Sequence, residues 1–190
     1  MPTIIKQVTT DTLPLYSKIP ISFLVESVYR VKTKDGFDGF ELYEEKVSHP
    51  YIKDYDAVKG EGPTRWLKRF DMSKWGIFMA LDGERPVGGT IIAPGAYVGD
   101  IDSTFAQMFD IRVRPQLRRS GTGTKLLQQA ASFARQLNFK FLKIETQNTN
   151  IPACKFYAKQ GCQLGNIDLY AYKSDPAYEH EFRIVWYLEL

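Results

Sequence analysis

The sequence predicts a mixed α/β or α+β domain, with residues 1–190 forming a single unit. Three observations lead there. Two β-rich runs, Trp75–Leu81 and Pro86–Ala93, are separated by Asp82-Gly83-Glu84-Arg85, a Gly-containing gap of hairpin length. A third run, Phe105–Val113, is stopped by Pro115. The apolar period then becomes helical, at Leu126, Ala130, Phe133, Ala134 and Leu137, before Phe139–Glu145 returns to a strand. A chain of 190 residues can bury roughly 70% of its unfolded surface, enough for one sizeable core.

Taken in chain order, Ile4–Val8 reads as a first strand and the aliphatic run Ile21–Val31 as a helix. Lys34–Pro63 is rich in Gly, aromatic and acidic residues and reads as loops with short strands. Thr64 can cap a short helix carrying Trp66, Leu67 and Phe70. The hairpin and the strand–helix–strand unit at 105–145 follow, with Asn138 ending the helix. Asn150 is a natural N-cap, Pro152 suits a first turn, and Gly161 suits the position just past a helix end; together they bracket a short helix. Leu169–Tyr172 reads as a strand. The alternation of Phe182, Ile184, Trp186, Leu188 and Leu190 gives a final strand.

Composition excludes several classes. The chain is 44% hydrophobic and 25% charged, with 14 Gly and 10 Pro, which is neither collagen-like nor disordered. No run approaches the roughly 20 apolar residues a membrane span needs, so no membrane partner is expected. The Met-Pro-Thr-Ile-Ile-Lys start lacks the layout of a signal peptide. Cys154 and Cys162 have no metal-knuckle spacing and read as reduced thiols of a cytoplasmic protein. With only His49 and His180 available, a multi-histidine zinc site is out; no metal is expected.

The charges are unevenly placed. Ile111–Ile144 holds no Asp or Glu but eight Lys and Arg, so it suits an anion. The basic residues lack an aromatic stacking platform, which argues against nucleic acid. Between Asp35 and Asp56 the bias reverses, and that segment could attract a cation.

The most specific local feature is the turn from Val113 to Gly123. Backbone N–H groups at a helix start are unpaired and converge, and the helix dipole adds to their pull on a phosphate. A P-loop would need Gly before Lys125, where Thr124 stands, and a dinucleotide fingerprint would need Gly at Leu126. Arg118, Gly121 and Gly123 meet a third pattern, Arg/Gln-x-x-Gly-x-Gly/Ala.

That turn, with its Val-x-Pro-x-x-Arg-x-x-Gly-x-Gly pattern at 113–123, and the Asn-x-x-Ala-x-x-Phe-Tyr pattern from Asn150 to Tyr157 closing at Gly161, resemble the GNAT superfamily of N-acetyltransferases. Cys162 stands where the family usually has Phe, and Arg119 where it often has Gly. The segments 39–55 and 145–173 further resemble streptothricin acetyltransferases. The resemblance implies a mostly antiparallel sheet flanked by helices, with a central strand–loop–helix–strand unit holding acetyl-CoA.

It also implies roles. Arg118, Arg119, Ser120, Gly121, Thr122, Gly123 and Thr124 would hold the pyrophosphate of coenzyme A. The backbones of Ile111 and Val113 would hold its pantetheine arm and polarise the thioester, and Asn150 would contact the cofactor. Tyr157 would be the general acid. Asp110 and Glu145, near the ends of the flanking strands, are the candidate bases. Glu41, Asp54, Asp56 and Asp168 are candidates for binding a small cationic amine such as a streptothricin-like antibiotic. A polyamine or protein N-terminus as acceptor, a non-catalytic acyl-CoA-binding module, and monomer versus homodimer all stay open.

Overall fold

The computed structural model describes residues 3–34, 39–95 and 104–190. In chain order it contains β1 (Ile4–Val8), α1 (Leu13–Tyr16), β2 (Phe23–Thr33), β3 (Phe40–Lys53), α2 (Pro63–Trp66), β4 (Gly76–Asp82), β5 (Arg85–Pro94), β6 (Phe105–Val113), α3 (Thr122–Gln136), β7 (Phe141–Gln147), α4 (Ile151–Lys159), β8 (Gln163–Asp168) and β9 (Arg183–Glu189). The chain divides into two compact units. The first comprises Met1–Ser22, Asp54–Ile144 and Tyr187–Leu190, and the second Phe23–Lys53 and Glu145–Trp186. The division falls inside β7 and inside β9, so neither unit is one continuous stretch of chain.

The sheet of the first unit runs in the order β1-β4-β5-β6-β7. Its first four strands pair antiparallel, and β6 and β7 pair in parallel. The sequence places most of this unit well, but the helix expected to be capped by Thr64 and to reach Phe70 is α2, which starts at Pro63 after Gly62 and ends at Trp66. The hairpin joins β4 to β5 through Gly83, and β6 spans the expected residues. Along α3, Leu126, Ala130 and Ala134 recur at four-residue intervals, with Leu127 and Ala131 beside them, and all are buried. That stripe packs against β4, β5 and β6; full burial of each leucine contributes about 2 kcal/mol. Asn138, at φ 63°, takes the left-handed conformation that stops the helix. On β5, Gly89 is required by a close approach: a Cβ there would stand 2.3 Å from a ring carbon of the fully buried Tyr16.

In the second unit the order is β7-β9-β8, with β2 and β3 forming a separate antiparallel ribbon. Three expectations fail here. Ile21–Val31 is not helical: β2 buries Phe23, Val25 and Val28. A register shift between Val25 and Ser27 breaks its alternation and hides the strand period. Residues 34–63 are not mainly loop, because β3 is a 14-residue strand. Its polar residues and Pro50 disguise it, and Pro is tolerated because β3 lies at the ribbon's edge. The strand expected at Leu169–Tyr172 lies earlier, at Gln163–Asp168. The Asp168 carboxylate accepts the N–H of Tyr170 at 3.0 Å and starts a turn there. The final strand and the helix after Asn150 stand where the sequence puts them. Cys154, Phe182 and Ile184 form this unit's apolar core, flanked by Tyr29, Leu42 and Trp186.

Candidate active site

The features expected to hold an anion lie in the first unit. Its β6–β7 ladder ends at Met108↔Ile144, while β6 continues to Val113 with β5 alone on its other edge. Ile111 and Val113 pack their side chains near Ala80, Val87 and Leu126. After β6 the chain makes a short 3-10 turn, Pro115–Leu117, and reaches Gly121 at φ 86° as the N-cap of α3. The first helical bond runs from the Lys125 N–H to the Gly121 carbonyl at 3.1 Å. The N–H groups of Thr122, Gly123 and Thr124 therefore precede the helical ladder. Among the described residues nothing lies within 4 Å of the place a Cβ on Gly121 would take, so the approach to the loop is open there. These features fit a phosphate group.

Two arginines of the loop behave differently from their sequence reading. Arg118 turns back on its own loop: Nε donates to the Val113 carbonyl at 3.1 Å and Nη2 to the Ser22 carbonyl at 2.8 Å. It shapes the turn as well as adding charge. Arg119 sits at φ 66°, in keeping with the Gly often found at this place in the family the loop resembles; the left-handed conformation costs a residue with a side chain about 1 kcal/mol. Ser120 Oγ donates to the Leu117 carbonyl at 2.6 Å and lies 3.0 Å from Thr122 Oγ1.

A buried polar cluster backs the end of β6. Both oxygens of Asp110 are engaged. Oδ1 accepts from the Tyr16 hydroxyl at 2.5 Å and from Arg112 Nε at 2.8 Å, and Oδ2 accepts from Arg112 Nη2 at 2.7 Å. Arg112 also grips Asp56, with Nη1 to Oδ2 at 2.7 Å and Nη2 to Oδ1 at 3.1 Å. Burial alone would lower the Arg112 pKa, but Asp110 and Asp56 outweigh it and hold the guanidinium charged. Burial and then the Asp110 charge push the Tyr16 hydroxyl well above its ordinary range, so it stays a donor. Asp110, expected as a possible base, is thus an anchor. Asp56, expected on a substrate, is committed to Arg112. The sequence offered one missed signal: residues two apart on a strand share a face, which suits an Asp110–Arg112 pair.

In the second unit Asn150 caps α4, accepting the Ala153 N–H at 3.2 Å, a contact worth about 1 kcal/mol. Tyr157 lies on the buried side of that helix with Ile151 and Cys154. Asn148, buried and unremarked in sequence, braces the turn before it. Its side chain donates to the Tyr29 carbonyl at 3.1 Å and accepts the Phe182 N–H at 3.0 Å. Glu145 is exposed, unlike Asp110. Its Oε1 accepts from the Tyr172 hydroxyl at 2.8 Å, and Tyr172 accepts from Gln147 Nε2 at 2.8 Å. Burial and the neighbouring Glu145 push Tyr172 well above its ordinary pKa, keeping it a proton donor. Arg183 stands 3.7 Å from Glu145 and 2.8 Å from Asp168. Lys53 and Glu181 form a buried ion pair; burial lowers the Lys53 pKa and Glu181 opposes it. No sequence signal joins two residues so far apart.

The remaining candidates are surface carboxylates. Glu41 is exposed on β3 opposite Lys32. Asp54, in the first unit, is exposed and caps the short turn after β3, accepting the Asp56 N–H at 3.1 Å. Asp35 and Asp38 of the acidic segment lie outside the described residues. Among the described residues no helix is long and apolar enough to cross a membrane.

The chain is similar to known proteins. The model of the acetyltransferase (GNAT) family matches residues 40–162. A streptothricin acetyltransferase from Escherichia coli is 31% identical over 168 residues, covering 87% of this chain and 84% of that protein. Streptothricin acetyltransferase A of Bacillus subtilis strain 168 is 40% identical over 151 residues, covering 76% of each. A chain from Bacillus anthracis, assigned as a streptothricin acetyltransferase and solved in complex with acetyl coenzyme A, aligns over the whole of both chains with a TM-score of 0.79 and 27% identity.

Proposed function

The chain belongs to the acetyltransferase (GNAT) family and is an N-acetyltransferase; from that premise we propose that it acetylates a primary amine of a small, cationic, streptothricin-like molecule by direct transfer from acetyl-CoA. The observation that carries the reading is the open loop at Gly121 feeding the start of α3, just past the end of β6, where that strand has left its ladder with β7 and keeps only β5. The names of the Escherichia coli and Bacillus subtilis relatives support the substrate class. The cytoplasm is where such an enzyme would meet acetyl-CoA, and two reduced thiols suit that compartment.

Acetyl-CoA supplies an activated acyl group on a thioester. The residues of this chain do the rest. N–H groups of Thr122, Gly123 and Thr124, with Ser120 and Arg119 beside them, bind the pyrophosphate, and Gly121 keeps the approach open. Backbone groups of Ile111 and Val113 hold the pantetheine arm and polarise the carbonyl. A lysine-like amine has a pKa near 10.4, so it must lose a proton before it attacks. Glu145 is the better acceptor of that proton, directly or through water, because it is exposed whereas Asp110 is locked by three hydrogen bonds. Tyr157 returns a proton to the departing thiolate, and Asn150 contacts the cofactor besides capping α4.

No acetyl-enzyme is expected. Cys154 and Cys162 are buried; burial pushes the Cys154 thiol up and the Cys162 thiol to about 11. Few thiolates exist at neutral pH to attack the thioester. Mass spectrometry after mixing with acetyl-CoA alone should show unmodified cysteines. Stoichiometric acetylation of either, lost together with activity on change to Ala, would refute direct transfer.

The test of the substrate class is a thiol-release assay against a panel of streptothricin, polyamines, a peptide N-terminus and uncharged amines. Glu41, Asp54 and Asp168 are assigned to attracting the cation. Glu41→Gln and Asp54→Asn should raise the acceptor KM several-fold, flatten its salt dependence, and leave acetyl-CoA affinity unchanged. Preference for an uncharged amine or a peptide over every polycation would remove the substrate proposal while the family stands.

A further inference from the structure

The last residues of β6 carry the backbone to which the cofactor-binding role is assigned above. They are also the part of the strand beyond its ladder with β7, which ends at Met108. Side chains alternate there. Ile111 and Val113 pack near Leu126 of α3, so Asp110 and Arg112 face the opposite way, toward Tyr16 and Ile19. On that side stands a guanidinium with no exposed side-chain surface.

Arg112 has five N–H donors, and each has an acceptor. Nε serves Asp110, Nη1 serves the Ile19 carbonyl at 3.1 Å and Asp56, and Nη2 serves Asp110 and Asp56. Its guanidinium carbon also lies 5.1 Å from the centre of the Tyr16 ring and 5.8 Å from that of Trp66. If the purpose were adhesion alone, apolar side chains of similar volume would serve at lower desolvation cost. A planar fork with every donor committed adds direction: sliding β6 by an ångström breaks several charge-assisted bonds together.

We infer that Arg112 is a positioning residue for acetyl transfer. Bolted to Asp110, Asp56 and the Ile19 carbonyl, it fixes the backbone of Ile111 and Val113 in the orientation that holds acetyl-CoA. The inference rests on the assignment of that backbone to the cofactor. Asp56, whose side chain is 26% exposed, is the one carboxylate of the clamp that can be altered near the surface. It lies 56 positions from Arg112 in sequence and belongs to a different element.

Arg112→Met strands two carboxylates and risks unfolding the unit, so the decisive variant is Asp56→Asn, which keeps shape and removes one charge. Ile77→Val, a buried change on β4 that shares the apolar cluster of Tyr16 and Trp66 but makes none of the Arg112 hydrogen bonds, serves as a control for lost packing and stability. Calorimetry with acetyl-CoA and amide exchange at Ile111 and Val113 are the readouts. Asp56→Asn should weaken acetyl-CoA binding about tenfold, since ångström-scale misplacement is felt strongly in such sites, and should speed exchange at both amides. Ile77→Val should lower Tm yet keep wild-type affinity and exchange. Wild-type affinity and exchange in Asp56→Asn would overturn the inference, as would an affinity loss in Ile77→Val that tracks its Tm. Gly121→Glu, measured in parallel, separates the two levels. If it binds acetyl-CoA like the wild type, the cofactor assignment itself has failed and the inference falls with it.

Discussion

Gly121→Glu is expected to abolish measurable acetyl-CoA binding, weakening it at least about 100-fold, in a protein that remains folded. Two effects combine. Gly121 holds φ 86°, a conformation an L side chain takes at about 1–2 kcal/mol. More heavily, a carboxylate would stand at the start of α3, where a phosphate is assigned. Each charge-assisted hydrogen bond to that phosphate contributes about 1.5–3 kcal/mol, and like charges would repel in addition. Gly121→Asn separates the two, because Asn tolerates the left-handed conformation and carries no charge. It should bind within about tenfold of the wild type. Full affinity in a folded Gly121→Glu protein would move the phosphate elsewhere.

Tyr157→Phe is expected to lower kcat by about 100-fold or more, the usual scale for acid–base assistance, with acetyl-CoA affinity and Tm nearly unchanged. The ring stays on the buried side of α4 beside Ile151 and Cys154, so packing is conserved and only the hydroxyl proton goes. A parallel Glu145→Gln variant should lose activity chiefly at the pH values where the wild-type amine is still protonated. If Tyr157→Phe turns over like the wild type, Tyr157 is a packing residue; if it loses Tm in step with kcat, its hydroxyl serves stability.

Local signals were the readable ones. β6 was legible because β-branched and aromatic residues end at a proline, and α3 because Leu126, Ala130 and Ala134 share one face. Asn150 and Gly161 announced the two ends of α4 by capping chemistry. β2 was not legible: its register shift after Val25 disrupts the alternation, and the pairing that makes it a strand comes from β3, itself too polar to be noticed. The same distinction governs the site. The loop at 118–124 is marked as a candidate by its glycines and the absence of acids around it. The state of each carboxylate is not marked in this way, because it depends on partners remote in sequence. Asp110 is held by Tyr16, 94 positions away, as well as by Arg112 two residues on, and Asp56 is held by Arg112, 56 positions away. Glu145 owes its hydrogen bond to Tyr172, 27 positions on. Residue type marks a candidate, and tertiary partners decide whether it can act.

The outer side of β3 bears on how the chain behaves in company. Fourteen residues of strand at the edge of a ribbon offer a template on which stray chains could assemble into larger aggregates. Pro50 interrupts that template by lacking an N–H, and Glu41, Glu44, Glu45, Lys46 and His49 place polar, mostly charged groups along it. A second chain laid against this edge would have to desolvate those charges. The polarity that makes β3 hard to recognise as a strand is thus also a barrier to clumping at high concentration.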